Sequence, residues 1–253
     1  PGVGGGDPTS TTEERVMPKH GKKYREAVAL LDRSSMYSPQ EALELAKKTS
    51  FASFDTTVEI HMRMGLDPRH ADQQVRGVVL LPKGTGKEVR ILVFAEGEAD
   101  KIAREAGADH VGSDDLVAEI QNGWLDFDIA IATPPMMRKV GRLGRVLGPR
   151  GLMPSPKAGT IVNEDDLERV IRETRQGRVE YRVDKTANIH VSVGKSAFSV
   201  EDLTENMSAV MEAIVKARPA ASKGTYIRKV TICNSMGPGI RVDPMAASAM
   251  KLA

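Results

Sequence analysis

Cysteine occurs once in the 253 residues, at Cys233, so no disulfide can form within the chain and no cysteine pair is present for a zinc set or a redox motif. Cys233 ends the strand-like stretch TYIRKVTIC and reads as a small core or sheet residue, not as a nucleophile. Aromatic residues make up only 4% of the chain, which leaves out the stacking platforms of single-strand nucleic-acid binders. No apolar run approaches the roughly 18 residues that cross a bilayer. The first residues have neither an apolar signal core nor an Arg-rich amphipathic pattern, so the sequence reads as a soluble, non-secreted chain without a membrane partner.

Catalytic and cofactor signals are also missing. His20, His61, His70, His110 and His190 have no metal-ligand spacing and read as surface or strand histidines, so no metal is expected. No GxSxG elbow is present, and after Val89–Phe94, where a dinucleotide fingerprint would stand, the chain reads Ala95-Glu96-Gly97-Glu98. Lys83-Gly84-Thr85-Gly86-Lys87 resembles half of a P-loop. Leu81, however, takes the place of its first glycine, Glu88 that of its magnesium-binding hydroxyl, and the segment precedes a strand instead of following one. It reads as a linker turn. The sequence points to no enzyme, no cofactor and no small-molecule substrate.

What is present is charge with a pattern. The net charge of +2 conceals an uneven division: residues 18–83 and 177–253 together hold 22 basic and 15 acidic side chains, whereas residues 84–176 hold 13 and 16. Two basic flanks around a slightly acidic centre suggest that the flanks form one surface for an anionic partner. Within the centre, RKVGRLGRVLGPRGLMPSPK, residues 138–157, contains Arg138, Lys139, Arg142, Arg145, Arg150 and Lys157 without one carboxylate. Cations of this kind supply most non-specific nucleic-acid affinity; the other reading is a solvated basic turn between two helices.

The hydropathy pattern divides the chain in the same places. Residues 1–16 are rich in Gly, Ser, Thr and Pro and read as a disordered extension, with the fold starting after Met17. Ser38-Pro39-Gln40-Glu41 predicts a capped helix through Lys48. Val58, Ile60, Met62 and Met64 alternate with polar residues as in a strand with one buried face, and Val75–Leu81 reads as a second strand. From Val89 the rhythm becomes strand and helix in alternation. Val89–Phe94 and Ile129–Ala132 are all-apolar runs suited to parallel strands covered on both faces, with Val111 in a short strand between them. Ser113 and Asn163 are placed to cap helices over 114–122 and 164–176. After Gly177 the alternation returns in Val179–Val183 and Ile189–Val193, followed by a Ser199-capped helix and a strand over 224–233.

Neither flank has enough elements for its own core. The sequence therefore predicts one split α+β domain from 17–83 and 177–253, with a Rossmann-like α/β domain over 84–176 inserted through connections near 82–86 and 174–177. Two connections at one junction suggest hinge motion.

RNA binding draws agreeing signals from separate places. Lys19, His20, Lys22, Lys23 and Arg25 make a basic cluster, or else a solvated helix face. Arg182-Val183-Asp184-Lys185-Thr186 mixes phosphate donors with a carboxylate and a hydroxyl able to bond ribose or base edges, or else forms a polar hairpin turn. Ser235-Met236-Gly237-Pro238 follows a strand as an exposed turn whose backbone can lie against RNA. With so few aromatics, a folded RNA read by shape and 2′-hydroxyls is the better target.

Several runs resemble the bacterial-type ribosomal protein L-one family of the large-subunit stalk. They are MPKHGK from Met17, SFDTTVE from Ser53, DQQVRG from Asp72, LGPRGLMP from Leu147, Asp184-Lys185-Thr186 and Ser235-Met236-Gly237-Pro238, in the family's order from Met17 to about Pro244. The resemblance implies the split two-domain form. It also implies binding of a folded rRNA stalk by the end-built domain, help in releasing exit-site tRNA, contact with other ribosomal components and, in many members, repression of the operon's own mRNA, all in the bacterial cytoplasm. It carries rRNA contact over to Phe54, Thr57, Glu59, Arg182, Asp184, Lys185, Thr186, Ser235, Met236 and Gly237, beside the basic Lys19, His20, Lys22 and Lys23. Arg142, Arg145, Arg150 and Lys157 remain as a secondary tRNA- or rRNA-facing patch on a structured basic loop. Ser53, Ala187 and Lys229 depart from the family's usual lysine, glycine and small polar residue, which bears on individual hydrogen bonds.

Overall fold

Alternate apolar residues of one N-terminal strand need a covering layer, and the chain supplies it from both of its ends. The computed structural model describes residues 21–251; the extension over 1–16, Lys19 and His20 lie outside the described residues. β1 (Thr57–Met64) is one of two inner strands of an antiparallel sheet completed by β7 (Asn188–Lys195), β8 (Ile227–Asn234) and β9 (Ile240–Val242), in the order β7-β1-β8-β9. Val58, Ile60, Met62 and Met64 all point to one side and are buried. They meet Ala42, Leu43 and Ala46 of α2 (Pro39–Lys48) and Leu203, Met207, Val210 and Met211 of α8 (Val200–Lys216) in one apolar cluster. Both helices begin as the sequence predicts: Ser38 closes a full capping box with Glu41, and Ser199 accepts from the backbone of Asp202. α9 (Pro244–Ser248), whose Ala247 is fully buried, adds to the same core.

A two-stranded ribbon, β2 (Arg76–Leu80) with β6 (Arg178–Arg182), carries the chain out of this unit and back. Between them lies a parallel sheet of order β4-β3-β5, formed by β3 (Ile91–Phe94), β4 (His110–Gly112) and β5 (Ile129–Ala132). Its strands are apolar throughout because both faces are covered. Leu92 and Phe94 meet α4 (Asp114–Gln121), α5 (Met137–Val140) and α6 (Gly144–Leu147) on one side. Ile91 and Val93 meet α3 (Glu98–Glu105) and α7 (Glu164–Gln176) on the other. The result is a mixed α/β architecture whose apolar packing divides between the chain ends and the central segment.

Several expectations change. Ser113 and Asn163 stand at the N-caps of α4 and α7, but neither side chain makes a capping bond. Ser113 has left the extended region that a capping side chain needs, and α7 instead opens on Glu164, Asp165 and Asp166 beside its free amides. Val89 precedes its strand, which starts at Ile91 where pairing with Ile129 begins. Of the basic stretch over 138–157, residues 138–147 are helical, and only 148–155 form the expected loop, as described below.

At the junction two backbones touch. Gly177 ends α7 at φ 115° and accepts a hydrogen bond from the Leu81 amide at 3.1 Å; a Cβ on it would lie 2.5 Å from Gly84 Cα. The fully buried Asn206 of α8 pins the same place: its Oδ1 accepts from the Lys83 amide at 3.0 Å, while its Nδ2 donates to the carbonyls of Gly84 at 3.0 Å and Val193 at 2.8 Å. Asn206→Ala removes one buried and two half-buried hydrogen bonds and should cost about 2–4 kcal/mol of unfolding free energy in denaturant titrations. Asp128 gives a second, pH-dependent check. The Lys87 ammonium at 2.6 Å and the Arg90 amide and guanidinium hold its carboxyl down to about 2. A carboxyl depressed on folding stabilises above its unfolded pKa and loses that contribution as pH falls through the folded value. Asp128→Asn should therefore be less stable than the native chain at neutral pH, with the difference disappearing as pH drops from about 4 towards 2.

Candidate nucleic-acid interface

The strand alternation that buries one face of the four-stranded sheet makes the other face polar. Thr57, Glu59, His61 and Arg63 of β1 share it with Asn188, His190 and Ser192 of β7 and with Lys229, Thr231 and Cys233 of β8; Arg241 of β9 pairs with Thr231. All are partly or fully exposed. Sequence-predicted contacts gather at the two ends of this face, roughly 20–25 Å apart at the rise of an extended strand.

At the first end, the start of β1 meets the end of β8. The Thr57 amide donates to Ser235 Oγ at 3.3 Å, the Ser235 amide returns to the Thr57 carbonyl at 3.0 Å, and Lys195 Nζ donates to Thr57 Oγ1 at 3.1 Å. Phe54 precedes this point on a loop tied down by Asp55, whose Oδ1 accepts from Ser196 Oγ at 2.8 Å and the Ala197 amide at 3.1 Å. The turn after β8 closes by a Gly237 amide bond to the Asn234 carbonyl at 2.8 Å, and the buried Asn234 side chain donates to the Ala46 carbonyl of α2. On this rigid base Phe54 is 58% exposed and Met236 71% exposed, and Met236 is held at φ 68°. A large apolar side chain kept in solvent on left-handed backbone is disfavoured twice, by hydration and by sterics, and such costs concentrate at functional sites.

At the second end, Asp184 organises the turn between β6 and β7. Its carboxylate accepts from the amides of Thr186 at 2.8 Å and Asn188 at 2.7 Å and from Thr186 Oγ1 at 2.7 Å, and its pKa is held down to about 2 by these bonds against the opposing effect of desolvation. Asp184 and Thr186 thus shape the turn for each other, while Lys185 and Arg182 project as exposed cations. Ala187 closes the turn at φ 62°. Lys22 and Lys23 are exposed on α1 (Lys22–Ala29), whose Tyr24 ring meets Phe51 edge-on at 6.4 Å just before the Phe54 loop.

The first half of the central basic stretch proves amphipathic and helical. Met136, Val140, Leu143 and Leu147 are buried at helical spacing through α5, a 3₁₀ turn and α6, which leaves Arg138, Arg142 and Arg145 exposed on the opposite side. Arg150 and Lys157 follow, also exposed, and these five make no ion pair among the described residues. Lys139 differs: it bridges Glu96 and Asp114. The half P-loop has no free phosphate grip, because Lys83 pairs with Asp202 and Glu205 and Lys87 with Asp128.

Beside the predicted Glu59 and the noted departure Lys229, the sheet face holds Arg63, His61, His190, Cys233 and Arg241, which the sequence reading did not mark as contacts. Arg63, Lys229 and Arg241 add cations, and His61, His190, Glu59 and Cys233 come into contact through strand pairing. Burial, with His190 adding to it and Glu59 opposing, lowers the His61 pKa, and burial pushes the Cys233 thiol up to about 11. A neutral thiol at physiological pH agrees with its reading as a sheet residue and not a nucleophile.

The structure thus presents a polar, cation-bearing sheet face with large apolar side chains exposed at one end. The model of the Ribosomal protein L1p/L10e family matches residues 46–238, and the chain belongs to that family, one of ribosomal proteins and not of enzymes. More particularly, it is 60% identical over 236 residues to the large ribosomal subunit protein uL1 of Chloroflexus aurantiacus, covering 93% of this chain and 100% of that one. The protein of the same name from Chloroflexus aggregans is 59% identical over 237 residues, covering 93% and 100%, and that of Dehalococcoides mccartyi is 54% identical over 234 residues, covering 92% and 99%.

The two left-handed side chains yield a direct check on strain. Ala187→Gly and Met236→Gly should each raise unfolding free energy by about 0.5–1 kcal/mol, because relief of the left-handed penalty exceeds the added freedom of the unfolded chain. Unchanged or lower stability in chemical denaturation would remove the assignment of strain.

Proposed function

We propose that the chain is a constituent of the large ribosomal subunit in the bacterial cytoplasm and holds a folded rRNA stalk on the open face of its four-stranded sheet. In this reading residues 17–83 and 177–253 are the rRNA-binding domain, and 84–176 are an inserted α/β domain able to move about the Gly84–Gly177 junction. The observation that carries it is the exposed Met236, held on left-handed backbone next to the Ser235 that bonds Thr57, with the exposed Phe54 three residues before Thr57 on the adjoining loop. Phe54 and Met236 pack against sugar or base surfaces. Thr57, Ser235 and the Gly237 backbone bond ribose, and Lys185, Arg182, Lys22 and Lys23 neutralise phosphates. Glu59 accepts from a base amino group or a 2′-hydroxyl. The exposed Arg142, Arg145, Arg150 and Lys157 form a second surface that meets exit-site tRNA and assists its release, and the primary surface also binds an operon mRNA that mimics the stalk, repressing its translation.

Phe54→Ala or Met236→Ala should weaken binding to stalk rRNA by about 1–3 kcal/mol with circular dichroism unchanged, and affinity should fall steeply with salt. A folded variant of native affinity would overturn the assignment of that anchor. Residues 17–83 joined to 177–253 by a short linker should retain nearly the affinity of the whole chain, and equal or better binding by residues 84–176 would reverse the domain roles. Charge reversal at Arg142, Arg145 and Arg150 should leave stalk affinity in place while slowing departure of exit-site tRNA from reconstituted ribosomes.

A further inference from the structure

Strand pairing assembles a donor set that no stretch of the sequence contains. Glu59 and His61 stand two residues apart on the open face of β1; register sets Cys233 of β8 beside Glu59, and His190 of β7 beside His61. His61 Nε2 lies 3.0 Å from Cys233 Sγ and 3.7 Å from Glu59 Oε2, and one donor atom from each of the three residues falls within 4.8 Å of the others. In a tetrahedral zinc site, with bonds of about 2.0–2.3 Å, neighbouring donors stand roughly 3.4–3.6 Å apart. The two separations at His61 bracket that value, and the Glu59 and Cys233 donors lie within 4.8 Å of each other, so rotation of the side chains can close the three on one ion.

The second nitrogen of His61 is the independent observation. His61 Nδ1 lies 2.7 Å from His190 Nδ1, and His190 Nε2 lies 3.6 Å from the Asp184 carboxylate. With the proton on His61 Nδ1 donated to His190, the lone pair of His61 Nε2 is left directed at the cysteine and the glutamate. A ligating imidazole is oriented in this way, its other nitrogen bonded to a fixed acceptor. Asp184 is itself anchored by the amides of Thr186 and Asn188, so the carboxylate that faces His190 at 3.6 Å, an electrostatic contact and not a hydrogen bond, sits on a fixed turn.

We propose that Glu59, His61 and Cys233 bind one zinc-class divalent cation, with His190 as a positioning residue and water in the fourth place. The donor chemistry sets the class: a thiolate and an imidazole select a borderline-soft ion, whereas magnesium and calcium take oxygen donors. On binding, the Cys233 thiol gives up its proton to the solvent and the cation takes the sulfur lone pair. The site lies on the face assigned to rRNA, and Glu59 serves in both readings, yet the cation needs no RNA to bind.

The test is titration of the reduced full chain, without RNA, by Co(II) under anaerobic conditions, followed by displacement with Zn(II). One equivalent should bind, with the visible bands of tetrahedral cobalt and a sulfur-to-cobalt charge-transfer band in the near ultraviolet. Cys233→Ser should abolish the charge-transfer band, and His61→Asn should weaken binding by more than tenfold. His190→Asn should weaken it about tenfold and shift the visible bands while the charge-transfer band persists. The substituted positions are on the open sheet face, and circular dichroism checks that each variant is folded. Absence of the charge-transfer band in the native chain, or its survival in Cys233→Ser, overturns the site; native affinity in His190→Asn overturns the positioning role. Because stalk rRNA binding is read separately, loss of this proposal leaves the rRNA assignment standing, and the reverse holds too.

Discussion

The structure depends on the pairing of β1 with strands that arrive far later in the chain. β1 lies between β7 and β8, so residues 57–64 draw their main-chain partners from 188–195 and 227–234. This arrangement closes the apolar core under α2 and α8, fixes which face of the sheet stays polar, and brings Thr57 against Ser235 at one end and Met64 against Ala187 at the other. Without it, the N-terminal and C-terminal thirds of the chain would each hold half of an amphipathic layer. The central segment, by contrast, is built mostly from neighbours in sequence, with β3, α3, β4, α4 and β5 following one another around a parallel sheet.

Much of this was legible from residue patterns. Period-two burial in β1 and β7, the capping box at Ser38, the all-apolar β3 and β5, and the Gly177 stop after α7 each report a local rule that tertiary structure respects. The misses are equally physical. Ser113 and Asn163 have the right side chains for caps, but capping depends on backbone angles and a rotamer that composition does not specify. The helical character of residues 137–147 was masked by Gly141 and Gly144, although Met136, Val140, Leu143 and Leu147 keep helical spacing across them. The contact of His61 with His190 and Cys233 arises from register between three strands, which no linear spacing encodes. Phe54 and Thr57 were nominated by resemblance, and Ser235 by its exposed turn as well; what the fold adds is the bonding of Thr57 to Ser235.

Charge counts from the sequence also needed the fold for their meaning. Lys83, Lys87 and Lys139 each meet at least one carboxylate, so they serve internal attachment. Arg142, Arg145, Arg150 and Lys157, though carried by the acidic third of the chain, stay exposed and without ion pairs among the described residues. The ion-pair pattern thus separates cations held by internal carboxylates from those left exposed. Exposed pairs contribute little stability one by one, and the anchoring value of Lys87 and Arg90 comes from sharing Asp128 with a backbone amide.

The same strand order sets a timetable for synthesis. When residue 64 has been made, 131 more must follow before β7 is complete and 170 before β8 is. At typical translation rates of about 5–20 residues per second, β1 waits for its partners for roughly 7–34 seconds. Throughout that interval both of its edges lack the hydrogen bonds of the finished sheet, and Val58, Ile60, Met62 and Met64 have no completed core to enter. The central α/β segment emerges in the meantime with its parallel strands in hand. Glu59, His61 and Arg63, set between the apolar residues, break up the hydrophobic run of the waiting strand, a pattern that disfavours pairing with a wrong chain.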